Sequence, residues 1–121
     1  MFTSGFTIWY NVTNVEQTLK FYTESLGFKL DFHDADNGMA SVHTNTPDCF
    51  IGFSEATDVI PSKASAVFEV TNIEETVLKL KETGISFTSD VTTIPGLVKL
   101  ATFKDPDGHD LELSQTLNGA E

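Results

Sequence analysis

Two stretches of this chain, VTNVEQTLKFY from Val12 and VTNIEETVLKL from Val70, are nearly the same phrase written 58 residues apart. Val12, Thr13 and Asn14 match Val70, Thr71 and Asn72, and Val15, Glu16 and Thr18 match Ile73, Glu74 and Thr76. Polar positions match as well as apolar ones, so a shared helical period does not account for the likeness. An internal duplication does. It limits the fold sharply, because each copy must be one supersecondary unit and the core must be built from two of them.

Each copy reads as a strand running into a helix. FTIWYNV and SAVFEV are rich in β-branched and aromatic residues, as strands are. Asn14 and Asn72 then stand at N-cap positions, with Gln17 and Glu75 three residues on in the pattern of a capping box. Val15, Leu19, Tyr22 and Leu26 form one apolar stripe at helical spacing, and Ile73, Val77 and Leu80 repeat it. Gly27 and Gly84 follow as C-terminal stops. Three strand-like runs come after each helix: FKLDFHD, GMASVHT and CFIGFSE, then ISFTSDV, LVKLATF and DLELSQ. DPDG, between the last two, carries the proline and glycine of a type I turn. The expected fold is α+β, a single domain over residues 1–121 made of two tandem βαβββ modules at about 5–55 and 65–115. The stretch at about 56–64, ATDVIPSKA, is the linker, and one helix packs on each half.

Composition removes several classes of function. The net charge is −11, so the chain has no basic footprint for nucleic acid or for anionic lipid. No apolar run approaches the roughly 20 residues that span a bilayer. The start, MFTSGFTIWYNVTN, lacks the basic and long apolar regions of a signal peptide, and a cytoplasmic protein is the expectation. Cys49, the single cysteine, forms no internal disulfide and reads as a small buried hydrophobe.

The duplication, FYTESLGF closing the first helix and FKDPDGHDLEL near the C-terminus resemble the vicinal oxygen chelate superfamily over about residues 6–115. That superfamily includes glyoxalase I, bleomycin-resistance proteins and extradiol dioxygenases. The resemblance implies that the two modules form a curved mixed sheet around a ligand-binding cleft. It also implies where metal-using members hold their ion: a His early in each copy's first strand and a Glu in each copy's last. Carried onto this chain, the first-strand positions are Thr7 and Ser65, each seven residues before its helix-opening Asn. The last-strand positions are Gly52 and Glu112, since IGFS matches LELS 60 residues on. One of the four is a ligand type, so no metal and no cofactor are expected. His33 and His43 fall on the second and third strands, where a non-standard site would have to recruit them, and His109 is expected to face solvent after the DPDG turn.

Strand alternation sorts the remaining candidates. Ile8, Tyr10 and Val12 should pack on the helix, leaving Thr7, Trp9 and Asn11 on the ligand side. Ser65, Val67 and Glu69 should join them from the second copy, with Asp110, Glu112 and Ser114 from the last strand. Phe50, Phe53, Phe87 and Phe103 are candidates for apolar lining. Trp9 offers a stacking face, and the carboxylates offer partners for a cation. Two functions stand open. One is a metal-free protein of the bleomycin-resistance kind, binding a planar or cationic small molecule, with antibiotic resistance and a homodimer implied by the resemblance. The other is a glyoxalase-like lyase, isomerase or dioxygenase in which Glu112 is a ligand or the catalytic base.

Overall fold

Asn14 and Asn72, matched by the repeat, start the two helices in the same way. Each has extended backbone, and its side-chain oxygen accepts the N–H three residues on, Gln17 N and Glu75 N, both at 3.0 Å. The helices are α1, Val15–Lys20, and α2, Ile73–Glu82. A second cap arrives from far along the chain. Glu55 Oε1 accepts from Val15 N at 3.1 Å, and Gln115 Oε1 accepts from Ile73 N at 2.8 Å. Helix starts leave such N–H groups without intrahelical partners, and both copies meet the need from the last strand.

In this computed structural model, which describes residues 1–3 and 5–118, the chain divides between Ile60 and Pro61 into two compact units. The first holds β1 (Phe6–Val12), α1, β2 (Lys29–Asp34), β3 (Met39–His43) and β4 (Cys49–Glu55). The second holds β5 (Ala66–Glu69), α2, β6 (Thr92–Ile94), β7 (Val98–Lys104) and β8 (Asp110–Thr116). Each is βαβββ with one helix and one four-stranded mixed sheet, in the orders β1-β4-β3-β2 and β5-β8-β7-β6. The first and last strand of each unit run parallel, and the other neighbours are antiparallel.

Alternation puts one face of each sheet against its helix. In the first unit Tyr10, Val12, Ala40, Val42, Ile51 and Phe53 are buried with Val15, Leu19 and Tyr22. The rings of Tyr22 and Phe53 meet at 4.8 Å. In the second, Ala66, Ala101, Phe103, Leu111 and Leu113 are buried with Ile73 and Val77. A fully buried phenylalanine of this kind contributes about 2–3 kcal/mol relative to exposure.

Three local features depart from expectation. The first helix continues as a π-helical turn over Phe21–Ser25, with Leu26 N donating to Phe21 O at 3.1 Å. ISFTSDV is not a strand. Phe87 bridges Phe103 and Thr92 pairs with Leu100, so four residues on one side face two on the other, and residues 89–91 bow out. His109 is 2% exposed rather than solvent-facing. Its Nδ1 accepts from Ser62 N at 2.8 Å, while its backbone N–H donates to Asp105 Oδ1 at 2.9 Å. The imidazole thereby pins the start of the second unit to the DPDG turn, where Gly108 N donates to Asp105 O at 2.9 Å.

Candidate functional site

The face of each sheet turned away from its helix carries the chemistry-bearing residues. In the first unit the register puts Thr7, Trp9 and Asn11 beside Phe50, Gly52 and Ser54, and those beside His43, Ser41 and Met39. Thr7, Trp9 and Asn11 are exposed while their alternates Tyr10 and Val12 are buried. Phe50 is on this open face, meeting His43 edge-on at 4.9 Å, whereas Phe53 is core. His43 Nδ1 accepts from Asn45 N at 3.1 Å, which puts any imidazole donor on Nε2.

Trp9 is the centre of this face. A Cβ built on Gly52 would lie 2.0 Å from Trp9 Cε3 and 2.2 Å from Cζ3, so the indole rests directly on the glycine backbone. Trp9 Nε1 donates to Ser54 Oγ at 2.7 Å, which fixes the ring about its long axis. The side chain is nonetheless 44% exposed. A flat apolar surface is thus held in one orientation and left open to solvent. Sequence parity located Trp9 but missed Ser54, because the partner of β1 is not legible without the register.

In the second unit Val67 pairs with Glu112 and Glu69 with Ser114 across β5 and β8, and Thr102 and Lys104 pair with Glu112 and Asp110 across β7 and β8. The carboxylates then separate. Glu69 accepts from Thr116 N at 2.8 Å and Thr116 Oγ1 at 3.1 Å, tying the end of β8 to β5. Asp110 forms an ion pair with Lys104. Glu112 is half-buried between exposed Val67 and half-buried Thr102, and its carboxylate has no hydrogen-bond or ion-pair partner among the described residues. Ser65 is half-buried just before β5. Phe87 and Phe103 face each other at 5.2 Å, and Phe103 is core rather than lining.

The four positions at which the resemblance implies a metal do not fit one. Gly52 has no side chain, and the space a side chain would take is filled by the indole. Thr7 and Ser65 offer hydroxyls, which are poor ligands beside His and carboxylate. Among the described residues no three His, Cys, Asp or Glu side chains converge. His33 is exposed on β2, His43 is engaged with Asn45, and His109 is buried in the DPDG turn.

A family model described as the Glyoxalase/Bleomycin resistance protein/Dioxygenase superfamily matches residues 6–113. No curated protein matches the sequence. Solved structures share the fold. A glyoxalase/bleomycin resistance protein/dioxygenase from Nocardioides superposes with a TM-score of 0.79 at 18% identity, covering 100% of this chain and 88% of its own. A member of the same superfamily from Sphaerobacter thermophilus gives 0.79 at 21%, covering 94% and 98%. TnmS3, an antibiotic binding protein from a Streptomyces species, gives 0.77 at 21%, covering 95% and 97%.

Proposed function

Because the chain belongs to the Glyoxalase/Bleomycin resistance protein/Dioxygenase superfamily, we propose that it is a metal-free binding protein that holds a planar small molecule against Trp9 without transforming it. The observation that carries this reading is the indole seated on Gly52 and held by Ser54. A ring already fixed in its binding orientation loses little conformational freedom when a ligand stacks on it. The same ring occupies the place where a metal enzyme of this family would need a carboxylate. The antibiotic-binding activity of TnmS3, a protein of the same fold, supports the reading. Thr7 and Asn11, on the same face of the first unit as Trp9, would supply polar contacts beside the ring. The resemblance extends to a homodimer, to be checked by sedimentation.

One observation favours a second reading. Of Glu69, Asp110 and Glu112, the last is the carboxylate that the structure leaves unengaged, as a general base would be. A planar-compound screen followed by product analysis separates the two.

The direct test is quenching of Trp9, the chain's one tryptophan, by planar aromatic compounds, with metal content measured on the same preparation. Saturable quenching without metal is expected, and Trp9→Leu should weaken binding about tenfold by calorimetry. One tightly bound metal ion per chain, or turnover of a bound compound that Glu112→Gln abolishes, would replace this reading with the enzymatic one.

A further inference from the structure

A bulge in β2 puts a charge where simple alternation would not. Leu30 pairs with Val42 and Phe32 with Ser41, so Asp31 is an extra residue with no partner of its own in β3. Such a bulge re-aims the side chain it inserts. Asp31 accepts a hydrogen bond from Ser41 Oγ at 2.6 Å. Ser41 pairs with Gly52, and Gly52 with Trp9, so all of them share the open face of the first sheet. One row across that face therefore reads Trp9, Gly52, Ser41, Phe32, with the Asp31 carboxylate bonded to the serine beside it. The indole covers Gly52, and the serine that holds the carboxylate is on the next strand, about 4.8 Å away.

We infer that Asp31 is the charge-recognising residue of this site and that the ligand is a planar aromatic cation, its ring on Trp9 and its charge toward Asp31. This rests on the reading of Trp9 as the ligand platform. The face of an indole attracts a cation, and its N–H is committed to Ser54, so the platform offers no donor to an anion. Asp31 is exposed and meets no cation among the described residues. Its Ser41 bond holds the carboxylate in place while leaving the second oxygen for a ligand. Lys29 is on the same face next to His43 but makes no ion pair with Asp31. Asp34, further along β2, is committed to Asn37 at 2.8 Å. An aromatic anion would meet both Asp31 and the net charge of −11.

The test uses two probes of one shape in mildly alkaline buffer: N-methylacridinium, permanently cationic, and acridine, neutral there. Trp9 quenching should give the cation about tenfold the affinity of the neutral probe. Asp31→Asn keeps an acceptor for Ser41 and should cut that preference severalfold, leaving acridine binding unchanged. Asp31→Lys should cut it further. If both variants, with native circular dichroism, retain the full tenfold preference for the cation, the assignment of Asp31 is overturned while stacking on Trp9 stands. If neither probe quenches Trp9 in the native protein, the ligand-binding reading falls and this inference falls with it.

Discussion

Gly52 has no room for even a methyl group, and that makes it the sharpest probe of the site at the scale of single residues. A Cβ there would overlap the Trp9 ring at 2.0 Å, so Gly52→Ala should swing the indole off its seat and break its bond to Ser54. The expected outcome is a red-shifted Trp9 emission, loss of ligand quenching, and a stability loss of about 1–3 kcal/mol in a urea titration. A variant with native emission and native binding would show that the seat is not needed. At this scale the sequence was partly legible. Period-two alternation separated Thr7, Trp9 and Asn11 from Tyr10 and Val12 correctly, because one face is packed and the other is not. It could not tell that Glu69 and Asp110 are engaged by Thr116 and Lys104, since those partners come from register. Nor could it find Asp31 on the open face, because a bulge breaks the very alternation on which parity depends.

At the scale of elements, the two copies solve one problem with different atoms. Both helices open on an Asn cap, but the long-range cap is a carboxylate, Glu55, in one and an amide, Gln115, in the other. Asn14→Ala and Asn72→Ala should each cost about 1 kcal/mol, read as a lower denaturation midpoint with unchanged slope. Cap substitutions with no effect on the midpoint would mean that Glu55 and Gln115 suffice alone. The caps were visible in the sequence because they are local, three residues from donor to acceptor. The π-helical turn at Phe21–Ser25 was not visible, because its stripe, Val15, Leu19 and Tyr22, is the stripe of an ordinary helix. The β6 strand was misplaced for a related reason. ISFTSDV has strand composition, yet only Phe87 and Thr88 reach β7 before the chain bows out. His109 was expected to face solvent, and its burial was not legible because its partner, Ser62, is 47 residues away.

For the whole molecule, acid is the condition under which these interactions should fail together. Asp34, in the first unit, is held below its ordinary value of 3.8, first by the Asn37 side chain and then by the Asn37 backbone N–H. Glu74, in the second, is held below 4.5, first by its hydrogen bond to Lys99 at 3.0 Å. A carboxylate whose value is depressed by folding adds stability that is fully present above its unfolded value. That stability is lost as pH falls through the folded one. Both groups are exposed, so each contribution is small. Unfolding midpoints should decline below about pH 4.5, and Asp34→Asn should flatten that decline. An Asp34 carboxyl resonance titrating at or above 3.8 would contradict the argument.

The seat of Trp9 on Gly52 also carries a historical consequence. For this chain to acquire a carboxylate at position 52, the indole must leave first, since the two claim the same volume. Changing Trp9 alone discards the platform and gains no ligand. Changing Gly52 alone wrecks the platform and leaves the new side chain crowded against a ring. Each single step is a loss, and the benefit of the second depends on the first having been taken. A chain that stacks a ligand on Trp9, as proposed, and a metal enzyme of the same fold would therefore be separated by a fitness valley in which the order of mutations matters.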